Sequence, residues 1–348
     1  TWTHESHMSS TKRQKLVEDG TIPVKHPDID KYVEAMSATK AYSRSAACKK
    51  LRDIADLENQ PTFLVEAGAP AAALKLLGVS RVASSHSCQL LEVVAKLLEV
   101  RQTCADYPGI TKLLMEVMTD AWVEQSARSS AAGLLAMLLF TLPRLAASSA
   151  FLIHPAIATM RAAAFPQSRE YATKMLASLA AVQSLAVPII DSGVVSDLSA
   201  GLSGPEQRWA ALALYQLARG EKSRHAVSSD GKVLSGLVRL LRESADTAAL
   251  ASAAETLFLL AEDPAQRLQL RKEAKVFLSA LTEDADQSVF QEAAAKTLLQ
   301  LLKQNPGDTP QSGYDEDFAA VLALEAQHAK MAVSSGEALL QRLQDLAK

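Results

Sequence analysis

A short phrase recurs along this chain about every 41 residues, and nothing else in the sequence restricts the fold as strongly. It is a small residue, three of any kind, then two hydrophobic positions three apart, closed by Ala or Leu. It reads Ala47…Leu51-Arg52-Asp53-Ile54-Ala55, Leu90…Val94-Ala95-Lys96-Leu97-Leu98, Ala131…Leu135-Ala136-Met137-Leu138-Leu139 and Ala172…Leu176-Ala177-Ser178-Leu179-Ala180. Three further copies are Ala210…Leu214-Tyr215-Gln216-Leu217-Ala218, Ala253…Leu257-Phe258-Leu259-Leu260-Ala261 and Ala294…Leu298-Leu299-Gln300-Leu301-Leu302. From Asp53 to Gln300 the middle residues step by 43, 41, 41, 38, 43 and 41. Such a period belongs to a repeat array, whose units bury their hydrophobic faces only by stacking on one another.

The array is helical. Of 348 residues 48% are apolar, mostly Ala and Leu; only 5% are aromatic, and Gly and Pro number 14 and 13. Sparse breakers and rare β-branched runs favour helix over strand. A net charge of −3 excludes global charge as a driver of nucleic-acid or membrane binding. Cys48, Cys88 and Cys104 form no CxxC pair and leave an odd count, which predicts free thiols, each a small buried hydrophobe, in a reducing, cytoplasmic setting. Residues 1–27 are polar, carry both charges and lack an apolar core, so a disordered tail without a secretory signal is expected there. His7-Met8 followed by two serines resembles a cloning junction, so a tag remnant or processed terminus is the expectation for Thr1–Met8. The most apolar stretch, Ser129–Met160, is interrupted by Pro143, Arg144 and Pro155. It is expected to form two packed helices, with no membrane span.

His26-Pro27-Asp28-Ile29-Asp30 opens the first helix, with an Asp cap. Two helix types then alternate. The first is the phrase above, whose small residue lets helices approach closely and whose hydrophobics make one stripe. Leu90 departs from the small position. The second follows a turn: Val65-Glu66-Ala67-Gly68-Ala69, Tyr107-Pro108-Gly109-Ile110, Ile190-Asp191-Ser192-Gly193-Val194 and Ser229-Asp230-Gly231-Lys232-Val233. Its glycine suits a reversal with φ > 0. Ile153-His154-Pro155-Ala156-Ile157 and Lys272-Glu273-Ala274-Lys275-Val276 lack it.

These phrases resemble the armadillo-repeat family, in which a second helix is entered by "…eaGaipaLvkLL" and a third reads "aaxaLxNLa". Val65–Leu77 and Ala210–Ala218 match them closely, and the resemblance covers residues 31–304. HEAT repeats are the nearest rival fold. The resemblance implies an all-α, right-handed α-solenoid of about seven armadillo-like repeats, with third helices lining a concave groove of the superhelix. Residues 28–304 form that solenoid. Residues 305–317, acidic and rich in Pro and Gly, read as a linker, and 318–348 as C-terminal capping helices in which Leu339, Leu340, Leu343 and Leu346 share a face.

In the import adaptors and catenins of that family, an Asn at the middle of each third-helix phrase clamps an extended peptide, beside stacked Trp residues. Here the middle positions hold Asp53, Lys96, Met137, Ser178, Gln216, Leu259 and Gln300, with no Asn. Trp209 lies seven residues before Gln216, not four, where Leu212 sits. That argues against import-type reading of basic signals.

No Walker loop, GxGxxG, HExxH or GxSxG occurs, so no catalytic residue, metal site or cofactor is assigned. His4-Glu5-Ser6-His7 falls in the tail, and His86-Ser87-Cys88 has no second ligand pair at metal spacing. His154 and His225 are expected between helices. Two surfaces remain. A partner-binding groove would use Asp53, Lys96, Ser178, Gln216 and Gln300, with Tyr171, Lys174, Arg208 and Trp209 beside them. A central docking surface follows from residues 129–168, which carry only Arg144 and Arg161 and no acid, with Arg169 also at its rim. It would seat a partner, a member of a large complex or another copy. The sequence therefore reads as a non-enzymatic protein- or peptide-binding scaffold or structural subunit. The alternatives are an Hsp70- or myosin-type cochaperone and a transport adaptor.

Overall fold

The computed structural model describes residues 26–38, 40–55, 60–162 and 165–261. All its regular elements among them are helical, in triplets set by the repeated phrases. The contacts fall into two compact units, Thr1–Leu179 and Ala180–Lys348. In the first, α1 (Ile29–Ala35) packs on α2 (Ala41–Ala55). There follow α3 (Gln60–Glu66), α4 (Ala69–Leu74) and α5 (Arg81–Val94), then α6 (Leu98–Ala105), α7 (Ile110–Thr119) and α8 (Gln125–Thr141). The last triplet is α9 (Pro143–Ala147) with a 3-10 turn at Ala150–Leu152, α10 (Ile153–Ala162) and α11 (Pro166–Ala180). The second unit holds α12 (Gln183–Asp191), α13 (Val195–Gly201) and α14 (Gln207–Ala218), then α15 (Glu221–Ser229), α16 (Gly231–Glu243) and α17 (Thr247–Leu260).

The phrase builds the third helix of each triplet, and third helices stack on third helices: α2 on α5, α5 on α8, and α14 on α17. Its small residue makes that approach feasible. Ala47, Ala131, Ala172, Ala210 and Ala253 are all buried, as are the leucines that follow them, Leu51, Leu135, Leu176, Leu214 and Leu257. A larger side chain at any of these alanines would overpack the seam by about 1–3 kcal/mol. The copy without the small residue differs, because α5 ends at Val94 and leaves Ala95 as its cap. Lys96 therefore follows the helix rather than sitting on it.

Gly68, Gly109 and Gly193 take φ of 80°, 72° and 72°, each just before a second helix, as the turn phrase requires. Gly231 does not. It is the first residue of α16, and the Asp230 carboxylate accepts from the Lys232 N–H at 2.9 Å, so the acid organises that entry. Asp28 stands at the start of α1 without a side-chain capping bond; its N–H donates to His26 Nδ1 at 3.3 Å. The apolar stretch from Ser129 divides into more pieces than the expected pair, since Pro143 starts a separate short helix and a 3-10 turn precedes α10. Most of α8 is buried, which accounts for its lack of charge. Among the described residues no helix is long and apolar enough to cross a membrane. The seventh phrase with Gln300, the acidic stretch 305–317 and the terminal segment 318–348 lie outside the described residues, as do residues 1–25.

Candidate interaction surface

The third-helix face of the first unit carries hydrogen bonds that run from helix to helix. Arg52 on α2 donates through Nη1 to Gln89 Oε1 on α5 at 2.7 Å, and Gln89 Nε2 donates to Ser126 Oγ on α8 at 3.0 Å. Ser45 Oγ and His86 Nδ1 pair at 2.7 Å between α2 and α5. Gln125 Nε2 reaches Ser168 Oγ on α11 at 3.5 Å and its Oε1 accepts from Arg128. These bonds fix the register of four successive third helices.

Across this face lies a longer bridge. Tyr171 on α11 donates its hydroxyl to Glu92 Oε1 on α5 at 2.8 Å, spanning 79 residues and passing over α8. Gln167 Nε2 donates to the same hydroxyl at 2.8 Å. The bridge passes because α8 presents Gly133 beneath it. A Cβ there would stand 2.7 Å from Glu92 Oε1, 2.7 Å from Tyr171 Cε2 and 2.9 Å from Tyr171 Cζ. Partial burial, and then the Glu92 charge and hydrogen bond, push the Tyr171 pKa well above the ordinary phenol range. Lys174, one turn on, sets its ammonium 5.0 Å from the Phe140 ring centroid, a cation–π contact.

The second unit repeats the pairing on its own third helices. Tyr215 on α14 is hydrogen-bonded to Glu255 on α17; its pKa is raised by burial first and by Glu255 next. Gln207 Nε2 donates to Ser244 Oγ at 3.2 Å. Tyr–Glu and Gln–Ser pairs thus hold much of the polar side-chain capacity that a ladder of free amides would offer.

The sequence-predicted groove residues divide accordingly. Asp53 is exposed on α2, held by Arg52 at 2.6 Å. Tyr171 and Lys174 join it on the third-helix face of the first unit. Ser178 is buried in the last turns of α11, its hydroxyl spent on the Lys174 carbonyl at 2.9 Å. Gln216 is half-buried on α14 and accepts from Arg219 at 3.0 Å. Arg208 is exposed, its guanidinium 5.1 Å from the Trp209 ring, and Trp209 is 9% exposed, a core residue with a stacked lid. Lys96 is exposed beyond the end of α5, where Glu92 takes its place on the face. Of the central surface, Arg144 is exposed and donates to Asp106 Oδ1 at 2.7 Å. Arg161 is exposed at the end of α10 and Arg169 half-buried on α11, each with an interaction of its own. Phe151 is exposed in the 3-10 turn preceding α10.

Glu92, Gln89, Gln125, Gln167, Phe140 and Glu255 were not evident from the phrase. Gly133 was the available signal: a glycine in the middle of an otherwise strong helix, inside the phrase, costs about 1 kcal/mol relative to alanine, and that cost points to a close approach over it.

The three cysteines are free and buried. Burial pushes the thiols of Cys48 and Cys104 up to about 12 and Cys88 higher still. None is a ready nucleophile. Among the described residues no group of three His, Cys, Asp or Glu is placed to hold a metal ion.

No protein-family model matches this chain, and no curated protein does. Solved structures do. An engineered protein superposes with a TM-score of 0.66 at 21% identity, covering 91% of this chain and 77% of its own. A designed armadillo repeat protein gives 0.55 at 20%, covering 67% of this chain and 99% of its own. One of a set of computationally designed armadillo repeat proteins for modular peptide recognition gives 0.54 at 20%, covering 66% and 99%. The fold is an armadillo-like α-solenoid repeat.

Proposed function

We propose that this chain is a non-enzymatic interaction scaffold of a reducing, cytoplasmic compartment, which binds a protein or peptide partner on the third-helix face of its first unit. The observation that carries this reading is the Arg52, Asp53, Glu92, Tyr171 and Lys174 side chains arrayed on one stacked face, with an aromatic ring and charges of both signs. Arg and Tyr are favoured anchors at interfaces. The designed armadillo repeat protein in complex with peptide (KR)4, 19% identical with a TM-score of 0.53, gives precedent for peptide binding on this fold. The in-house Tyr–Glu and Gln–Ser pairing favours recognition by side-chain contacts over an amide clamp on an extended backbone. Arg144, Arg161 and Arg169, with exposed Phe151, offer a second surface on the charge-poor repeat for assembly into a larger complex.

The test is native co-purification with lysine crosslinking and mass spectrometry. Crosslinks to one stoichiometric partner from Lys49, Lys50 or Lys174 are expected. A stoichiometric partner crosslinked only through Lys75 and Lys112, in second-helix segments, would overturn the assignment of the face. Recovery of Hsp70 alone, released by ATP, would replace it with a cochaperone role.

A further inference from the structure

The third helices of the first unit are tied where they stack: Gln89 to Ser126 between α5 and α8, and Gln125 to Ser168 between α8 and α11. In the second unit the Tyr215–Glu255 pair likewise joins two helices that stack directly, α14 and α17. Tyr171 differs. Its phenol crosses α8 to end on Glu92, so it fastens no seam that lacks a tie. It lies flat on the face, since a Cβ at Gly133 would stand 2.7 Å from its Cε2 and 2.9 Å from its Cζ. While the ring lies there, no partner atom can touch α8 at Gly133 from above. Tyr171 and Glu92 are both half-buried, and two hydrogen bonds hold the tip: the hydroxyl donates to Glu92 Oε1 at 2.8 Å and accepts from Gln167 Nε2 at 2.8 Å. Glu92 is also unlike the acids around it. Asp53 pairs with Arg52 at 2.6 Å, Asp106 with Arg144 at 2.7 Å and Asp120 with Arg81 at 2.7 Å. Among the described residues no lysine or arginine lies within ion-pair distance of Glu92, whose bound donor is a neutral phenol.

We propose that Tyr171 is a built-in strap across the middle of the third-helix face, masking Glu92, and that a lysine or arginine side chain of the partner opens it by taking the carboxylate. This regulation rests on the partner face assigned above. A cation adds charge attraction to the hydrogen bond that the phenol makes, so it competes for Glu92 on favourable terms. The displaced ring leaves by side-chain rotation, with no movement of the helices. Opening uncovers α8 at Gly133, and the partner segment that carries the cation can then settle on it. A hydrogen bond to a charged group favours the closed state by about 10- to 150-fold, and the apparent affinity of any segment that needs the open state falls by the same factor. The strap therefore makes the middle of the face selective: a segment without a cation at this point meets a closed surface.

The probe is the basic peptide (KR)4, labelled and titrated with the full chain by fluorescence anisotropy. Tyr171→Phe keeps the ring over Gly133 and removes the donor to Glu92; Tyr171→Ala removes both. Binding is expected to tighten about tenfold or more in each variant relative to the parent, and the gain should vanish when Glu92→Gln is added. Displacement is read directly in the parent carrying fluorotyrosine. The Tyr171 resonance, identified by its absence from Tyr171→Phe, should move in fluorine NMR in step with peptide binding. Equal affinity for the parent and both Tyr171 variants overturns the proposal, as does a gain that survives Glu92→Gln. So does saturation of the parent with the Tyr171 resonance unmoved, or no binding by any of the proteins. Each of these failures leaves the lysine crosslinks of the third-helix face as they are, whereas a partner crosslinked only through second-helix lysines removes the face whatever the peptide does.

Discussion

Gly133→Ala should destabilise the protein, although the substitution improves the helix that contains it. Alanine in the middle of α8 gains about 1 kcal/mol over glycine from backbone entropy. Against that stands a Cβ placed 2.7 Å from both Glu92 Oε1 and Tyr171 Cε2. Both neighbours are ends of movable side chains, so the clash is relieved by parting them, and the Tyr171–Glu92 hydrogen bond is lost. A hydrogen bond to a charged group contributes about 1.5–3 kcal/mol. The net expectation is a loss of about 0.5–2 kcal/mol, measured by urea unfolding followed by circular dichroism. The background decides the interpretation. With Tyr171→Ala in place the bridge is already gone and the ring no longer fills the space, so Gly133→Ala should then stabilise, by up to about 1 kcal/mol. Alkaline titration of tyrosinate absorbance gives a second reading. Tyr171 ionises late in the parent and should return toward the ordinary range of about 10 in Gly133→Ala. Because its folded pKa is raised, the stability it contributes is present below that ordinary value and is lost as pH climbs from there through the folded pKa. Stabilisation by Gly133→Ala in both backgrounds, with the late tyrosine unchanged, would show that the glycine has nothing to do with the bridge.

Three further outcomes follow from the same packing. Cys48, Cys88 and Cys104 should resist maleimide labelling in the native protein and react once it is unfolded in urea, with the count read by mass spectrometry; prompt native labelling would contradict their burial. His86, whose pKa is lowered by burial first and by the Arg52 charge next, should make stability fall as pH drops below about 6.5, because the unfolded chain takes up the proton first; His86→Gln should flatten that slope in denaturant midpoints measured across pH. Gln89→Ala, which breaks both the Arg52 and the Ser126 bonds, should cost about 1–3 kcal/mol, while Gln102→Ala on the exposed side of α6 should leave the unfolding midpoint unchanged.

What could be read in advance was what local pattern dictates. The buried alanines and leucines of the third helices, and the left-handed turns at Gly68, Gly109 and Gly193, follow from spacing and from the steric freedom of glycine. Where two local signals competed, pattern misled: Asp230 rather than Gly231 organises the entry to α16, and the atypical Leu90 copy ended its helix before Lys96. The face was harder to read, because its members are chosen by helix crossing rather than by position in a phrase. The separations in the bonds from α2 to α5 shorten from 41 residues at Ser45 to 37 at Arg52, so a fixed repeat offset cannot pair residues along the whole helix. The Tyr171–Glu92 contact skips a repeat altogether, and no one-period comparison would align its partners. Trp209 is the opposite case: its place in the phrase allows either a groove contact or core packing, and it is buried on α14.

The bridge over Gly133 also has a mechanical consequence. Elsewhere in a stack of this kind each layer is coupled to the next, and compliance is shared evenly. A tie that skips a layer acts like a cross-brace: α5, α8 and α11 can no longer hinge independently, and under tension they should yield as one block, with a single larger step in a force–extension trace instead of two small ones.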